Sequence, residues 1–109
     1  MITTLSALAE PNRLHIVELL RDGPRSVNEI VEQLRLRQPL VSKHLRVLSQ
    51  AGLVKARPSA QQRIYQLEER PFDELDTWLE SFRRVWETRL DNLDDFLQER
   101  KAAQKPNKK

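Results

Sequence analysis

Residues 26–52 read SVNEIVEQLRLRQPLVSKHLRVLSQAG, and this stretch decides the fold. Ser26-Val27-Asn28-Glu29 is a capping-box pattern, in which a serine oxygen and a glutamate three residues on satisfy each other's backbone amides, so a helix opens here. Val27, Ile30, Val31 and Leu34 follow at i, i+3, i+4 and i+7, which gives that helix one apolar face. Only Arg35-Leu36-Arg37 separates it from a second helix, 38–51, that opens with Gln38-Pro39 and stops at Gly52. On that second helix Val41, Leu45 and Leu48 share one face, while Pro39, Ser42, Lys43, Arg46 and Gln50 share the other. Two short helices joined by a tight turn, the second with a basic outer face, form a helix-turn-helix unit whose second helix suits a major groove.

Upstream, Thr3 or Thr4 is expected to cap a short helix carrying Leu5 and Leu8, which ends before Pro11. Pro11 suits the first turn of the next helix, where Leu14, Val17 and Leu20, helped by Ile16, form the expected buried face. Gly23-Pro24 stops it. Downstream, 53–57 and 63–67 read as short strands joined across Pro58-Ser59-Ala60-Gln61-Gln62, a two-stranded wing in which Tyr65 and Leu67 alternate toward the core. One long helix is expected over 71–100. Phe72, Leu75, Leu79, Phe82, Trp86, Leu90, Leu93 and Leu97 recur along it in threes and fours, with Trp78, Val85 and Phe96 at the margin of that arc. The fold class is therefore mainly α, about five helices with a β-hairpin wing, in a single domain over 1–100; the lysine-rich 101–109 is expected to be disordered.

The 109 residues carry a net charge of +3 that conceals opposed blocks. Between Glu32 and Glu68 there is no acidic residue but seven basic ones, Arg35, Arg37, Lys43, Arg46, Lys55, Arg57 and Arg63, a stretch that attracts a polyanion. The absence of cysteine excludes disulfides, thiolate metal sites and cysteine nucleophiles. Two glycines are too few for a phosphate-cradling loop. Asp94-Asp95 and Glu68-Glu69 are adjacent carboxylates pointing apart, and no Ser-His-Asp spacing occurs, so catalysis is not expected. No apolar run approaches a membrane span and no leader-like segment follows Met1, which makes a cytoplasmic protein the expectation.

Several runs together carry a family resemblance. They are Leu8-Ala9-Glu10-Pro11-Asn12-Arg13, Gln38-Pro39-Leu40-Val41-Ser42-Lys43-His44-Leu45-Arg46-Val47-Leu48, Ala51-Gly52-Leu53-Val54 and Arg63-Ile64-Tyr65-Gln66-Leu67. Over roughly residues 5–97 the chain resembles the ArsR (arsenical-resistance repressor-like) family of winged-helix bacterial transcriptional regulators, and Asp76-Thr77-Trp78-Leu79 with Phe82-Arg83-Arg84-Val85-Trp86-Glu87 looks like its subgroup with an aromatic-rich last helix. The resemblance implies a homodimeric repressor on a pseudo-palindromic operator in double-stranded DNA, located on the bacterial nucleoid. Metal-sensing members place cysteines at the start of the helix-turn-helix, where this chain has Ser26 to Val31, and others place Asp/His pairs on a last helix that here has no histidine. No metal site and no cofactor is therefore expected, and the sequence names no effector. Pro58-Ser59-Ala60-Gln61-Gln62 replaces the usual Asp-Gly wing turn, and Arg37 stands where the family commonly has a serine cap.

The candidate DNA-binding residues are Gln38, Ser42, Lys43 and Arg46 on the second helix, with Arg37, Arg57 and Arg63 seeking phosphates. The candidate dimer interface is Leu5, Leu8, Leu75, Leu79, Phe82, Trp86, Leu90, Leu93 and Leu97, because so many large apolar groups exceed what a small winged-helix head covers. An apolar effector cavity among Trp78, Phe82 and Trp86 is the competing use of the stripe. His44 lies near the buried arc and is expected to be packed, bonding the backbone. A winged helix turned to protein interaction is the alternative function.

Overall fold

The computed structural model describes residues 1–104. Five helices and three strands follow in the order α1 (Ile2–Leu8), α2 (Pro11–Arg21), β1 (Arg25–Ser26), α3 (Val27–Leu34), α4 (Gln38–Gln50), β2 (Val54–Ser59), β3 (Gln62–Leu67) and α5 (Glu69–Gln104). The chain falls into two compact units, Met1–Leu75 and a second from Asp76.

The first unit is a winged helix built on a small apolar core. Ile16, Ile30, Val41, Leu45, Leu48 and Leu53 are fully buried, one or more from each of α2, α3 and α4. The capping box at the head of α3 is present as expected: the Glu29 amide donates to Ser26 Oγ at 3.2 Å and the Ser26 amide donates to Glu29 Oε1 at 2.9 Å. Pro11 stands at the start of α2, whose N-cap Glu10 accepts from the Arg13 amide at 2.8 Å. Gly52 adopts φ +78, the left-handed conformation that glycine tolerates, just past α4.

Several expectations are corrected. α1 is capped by Met1 without a side-chain bond, not by Thr3 or Thr4, and it buries Thr4 and Ala7 while Leu5 and Leu8 are half-buried. Leu14 is 42% exposed; α2 buries Ile16, Val17 and Leu20, and Leu14 lies about 110° from the centre of that arc at 100° per residue. The sheet has three strands in the order β1-β3-β2, because Arg25 and Ser26 pair antiparallel with Tyr65 and Ile64. β2 and β3 are longer than expected, with Ser59 opposite Gln62 and only Ala60 and Gln61 in the turn. Pro58 is accommodated because β2 is an edge strand, where a missing amide donor leaves no ladder bond broken.

α5 starts at Glu69 rather than at Pro71, since a proline in a first helical turn costs no internal hydrogen bond. It also continues through residues 101–104, which were expected to be disordered; 105–109 lie outside the described residues. None of the described helices is long and apolar enough to cross a membrane.

Candidate nucleic-acid interface

α4 presents two chemically distinct faces. Val41, His44, Leu45 and Leu48 are buried, whereas Gln38, Ser42, Lys43, Arg46 and Ser49 are exposed. Leu40 and Val41 donate their amides to the Arg37 carbonyl at 3.1 and 3.0 Å, so the start of the helix is anchored by its backbone. Arg37 itself, the N-cap, makes no side-chain cap bond and leaves its guanidinium exposed.

The polar face of α4 forms one wall of a groove. Gln38, Ser42, Arg46 and Ser49 line it from α4, Gln61, Gln62, Arg63 and Tyr65 from the wing, and Ser26, Val27 and Asn28 from the head of α3. No carboxylate belongs to this lining, and among the described residues neither Arg46 nor Arg63 is engaged in an ion pair. The nearest acid in sequence, Glu29, is held by Ser26. The Ser26 amide and then its hydroxyl, with the Arg25 charge adding to both, keep the Glu29 carboxyl below its ordinary value. The groove is thus a concave, hydrogen-bonding, electropositive surface, the chemistry that phosphates and base edges require.

Of the residues singled out from sequence, the groove brings together Gln38, Ser42, Arg46 and Arg63. Lys43, Arg37 and Arg57 are exposed but do not line it. Ser26, Val27, Asn28, Ser49, Gln61, Gln62 and Tyr65 line it without having been singled out as DNA-binding candidates. Asn28 meets the wing only because β1 pairs with β3, a contact that no periodicity announces. His44 is packed as expected, but the expected backbone bond is not formed. Neither ring nitrogen has a hydrogen-bond partner, and Nε2 stands 3.7 Å from Glu10 Oε2.

The candidate interface residues divide between the two units. Leu5, Leu8 and Leu75 are half-buried in the first. In the second, Leu79, Phe82, Trp86, Leu90, Leu93 and Leu97 are exposed along α5, joined by Trp78, Val85 and Phe96. The Arg89 guanidinium lies 5.6 Å from the Trp86 ring centroid and that of Arg100 5.9 Å from Phe96, so two cations cover aromatic faces on this helix.

Residues 10–56 match the family described as "Bacterial regulatory protein, arsR family". The chain is 43% identical over 76 residues to the HTH-type transcriptional regulator Rv2034 of Mycobacterium tuberculosis, covering 70% of this chain and 71% of that one. It is 46% identical over 63 residues to the HTH-type transcriptional repressor SmtB of the same species, covering 58% of this chain; the matched part is about half of that relative, 47%. Its fold is similar to the homodimeric winged helix-turn-helix DNA-binding domain Mb0332 from Mycobacterium bovis. There the TM-score is 0.62 at 29% identity, with 72% of this chain and 77% of the other covered. With the family match centred on the helix-turn-helix and a relative aligned over most of both chains, this protein belongs to the ArsR family of bacterial regulatory proteins.

Proposed function

We propose that the chain is a sequence-specific DNA-binding transcriptional regulator, a homodimeric repressor that seats α4 in the major groove of a pseudo-palindromic operator. The observation that carries this reading is the groove in which the polar face of α4 and Arg63 of the wing meet without a carboxylate. Gln38, Ser42, Lys43 and Arg46 would face the bases and nearest phosphates, and Arg37, Arg57 and Arg63 the flanking backbone. The names of SmtB as a repressor and of Mb0332 as a homodimeric DNA-binding domain support the regulatory and dimeric parts of the reading. The exposed stripe on α5 is assigned to the second copy, Leu5, Leu8 and Leu75 of the first unit are read as further interface residues, and the domain is read as 1–100 with α5 as its dimerisation helix. The protein acts on the nucleoid, in the cytoplasm, without catalysis.

Selection from a random duplex library by the full chain tests this. Recovered duplexes should share an inverted repeat and bind far more tightly than scrambled versions at the same salt concentration. If no duplex is retained even at low salt, the winged helix serves protein interaction instead.

A further inference from the structure

His44 belongs to α4 but not to its groove face: it is 6% exposed, and neither of its ring nitrogens has a hydrogen-bond partner. A buried polar atom without a partner is a cost that the folded state carries, and a native structure rarely keeps one without use. The polar group within reach is the Glu10 carboxylate, whose Oε2 lies 3.7 Å from His44 Nε2, within ion-pair range but beyond a hydrogen bond. That same oxygen accepts the Arg13 amide at 2.8 Å, and Arg13 Nε donates to the Ala7 carbonyl at 2.7 Å. A polar chain therefore runs from α1 through the head of α2 toward α4, and its one open link is at His44.

We propose that Glu10 and His44 form a proton-dependent clasp between α2 and the recognition helix, and that operator affinity rises as His44 takes up a proton. The proposal rests on the reading of α4 as the DNA-contacting helix. An imidazolium donates from both nitrogens, so protonation turns Nε2 into a charged donor facing a carboxylate, a bond stronger than a neutral one. Closing the link takes a movement of under about 1 Å. His44 sits between Lys43 and Leu45, so tightening its grip on α2 fixes the turn of α4 that carries Ser42, Lys43 and Arg46 on the opposite side.

Apart from Arg13, which belongs to the same polar chain, the other charged groups around α4 are engaged elsewhere or face solvent. α1 carries no titratable side chain. On α2, Arg13 donates Nε to the Ala7 carbonyl and keeps its charge close to Glu10, His15 and Glu18 are exposed, and Arg21 pairs with Asp22 at 3.8 Å. On α3, Glu29 is held by Ser26 and Glu32 is exposed. On β2, Lys55 pairs with Glu68 at 3.5 Å and Arg57 is exposed, as are Lys43 and Arg46 on α4 itself. Histidine is the side chain whose charge ordinarily changes between about pH 5 and 8, which sets the range over which the clasp is tested.

The test is a binding titration of the full chain against a duplex recovered by selection, at constant ionic strength. Wild-type affinity is expected to rise about five- to tenfold between pH 8 and pH 6, the size of an ordinary coupling between linked sites. Glu10→Gln and His44→Gln should each flatten that rise, while His15→Gln should keep it. A Glu10→Gln variant with the wild-type pH slope overturns the proposal. Because either variant can fail to fold, the wild-type chain is also followed by NMR without DNA. A His44 Nε2 proton protected from exchange and close to the Glu10 side chain should be present in acid and lost in base, and its absence in acid likewise overturns the clasp. If no duplex binds at any pH, the DNA-binding reading fails and takes the affinity effect with it; the ring proton, which needs no DNA, separates that outcome from failure of the clasp.

Discussion

The rings of Trp78 and Phe82, one turn apart on α5, meet edge to face with centroids 5.0 Å apart and planes at 80°. That arrangement is the one aromatic quadrupoles favour. The apolar residues around it, from Trp78 to Leu97, stand 39–60% exposed. Aromatic and open to water, this face has the character of a surface made to be buried against another.

The full chain should therefore sediment as a dimer at micromolar concentration. Phe82→Asp combined with Trp86→Asp places two carboxylates in the middle of the stripe and should dissociate or unfold it. A wild-type monomer at that concentration sinks the assignment of α5 to a second copy.

The capping box makes a separate prediction about stability. Ser26→Ala removes the oxygen that accepts the Glu29 amide and should cost about 1 kcal/mol, read from a denaturant midpoint. Glu29 adds a pH dependence whose sign follows from its lowered pKa. The stabilisation from its charged form is complete above the ordinary value of 4.5 and is lost as pH falls through the lower, folded-state value. Glu29→Gln keeps an accepting oxygen but does not titrate, so the gap between wild type and variant should narrow on acidification. Two midpoint curves that stay parallel from about pH 6 to pH 3.5 would contradict the assignment.

The capping box was legible because two side chains announce it locally. So were the apolar faces of α3 and α4, where Ile30, Val41, Leu45 and Leu48 are buried as their spacing implies. β1 was not legible. Arg25 and Ser26 have no strand pattern of their own and become a strand only by lying beside Ile64 and Tyr65. That pairing carries Asn28 into the groove, so the wall formed by the head of α3 was invisible for the same reason. The wing turn was missed differently: Pro58 reads as a breaker, but the edge position of β2 removes its penalty. The α4 wall of the groove was legible, because Gln38, Ser42 and Arg46 share a face by helical arithmetic alone.

The turn that replaces the expected five-residue connection carries its own strain. Ala60 adopts φ 55, a left-handed conformation that costs a residue with a Cβ roughly 1 kcal/mol. Ala60→Gly should raise the stability of the chain by about 0.5–1 kcal/mol, partly offset by the greater freedom of glycine when unfolded. Thermal unfolding measures it directly, and a lowered midpoint would mean that the turn does not hold this conformation in solution.

Arg46 and Arg63 line one groove from different elements, α4 and the wing, and on the proposed reading these would meet DNA differently, the helix in the major groove and the wing beside it. Their substitutions should therefore separate. Arg46→Ala, and Lys43→Ala where that side chain reads a base, should each cost roughly 1–3 kcal/mol and relax preference at one position in each half-site. Arg63→Ala should weaken binding to operator and scrambled duplexes alike, lowering the salt slope by about 1 because one phosphate is no longer neutralised. A dimer presents these groups twice, so the half-sites should lie about one helical turn apart, roughly 34–36 Å, or a multiple of it. Titrations of the three variants at several salt concentrations decide the matter. If Lys43→Ala and Arg46→Ala leave both affinity and preference intact, α4 is not the reading helix; if Arg63→Ala changes preference at one base pair instead of the salt slope, the wing reads sequence and the division of labour along the groove is reversed.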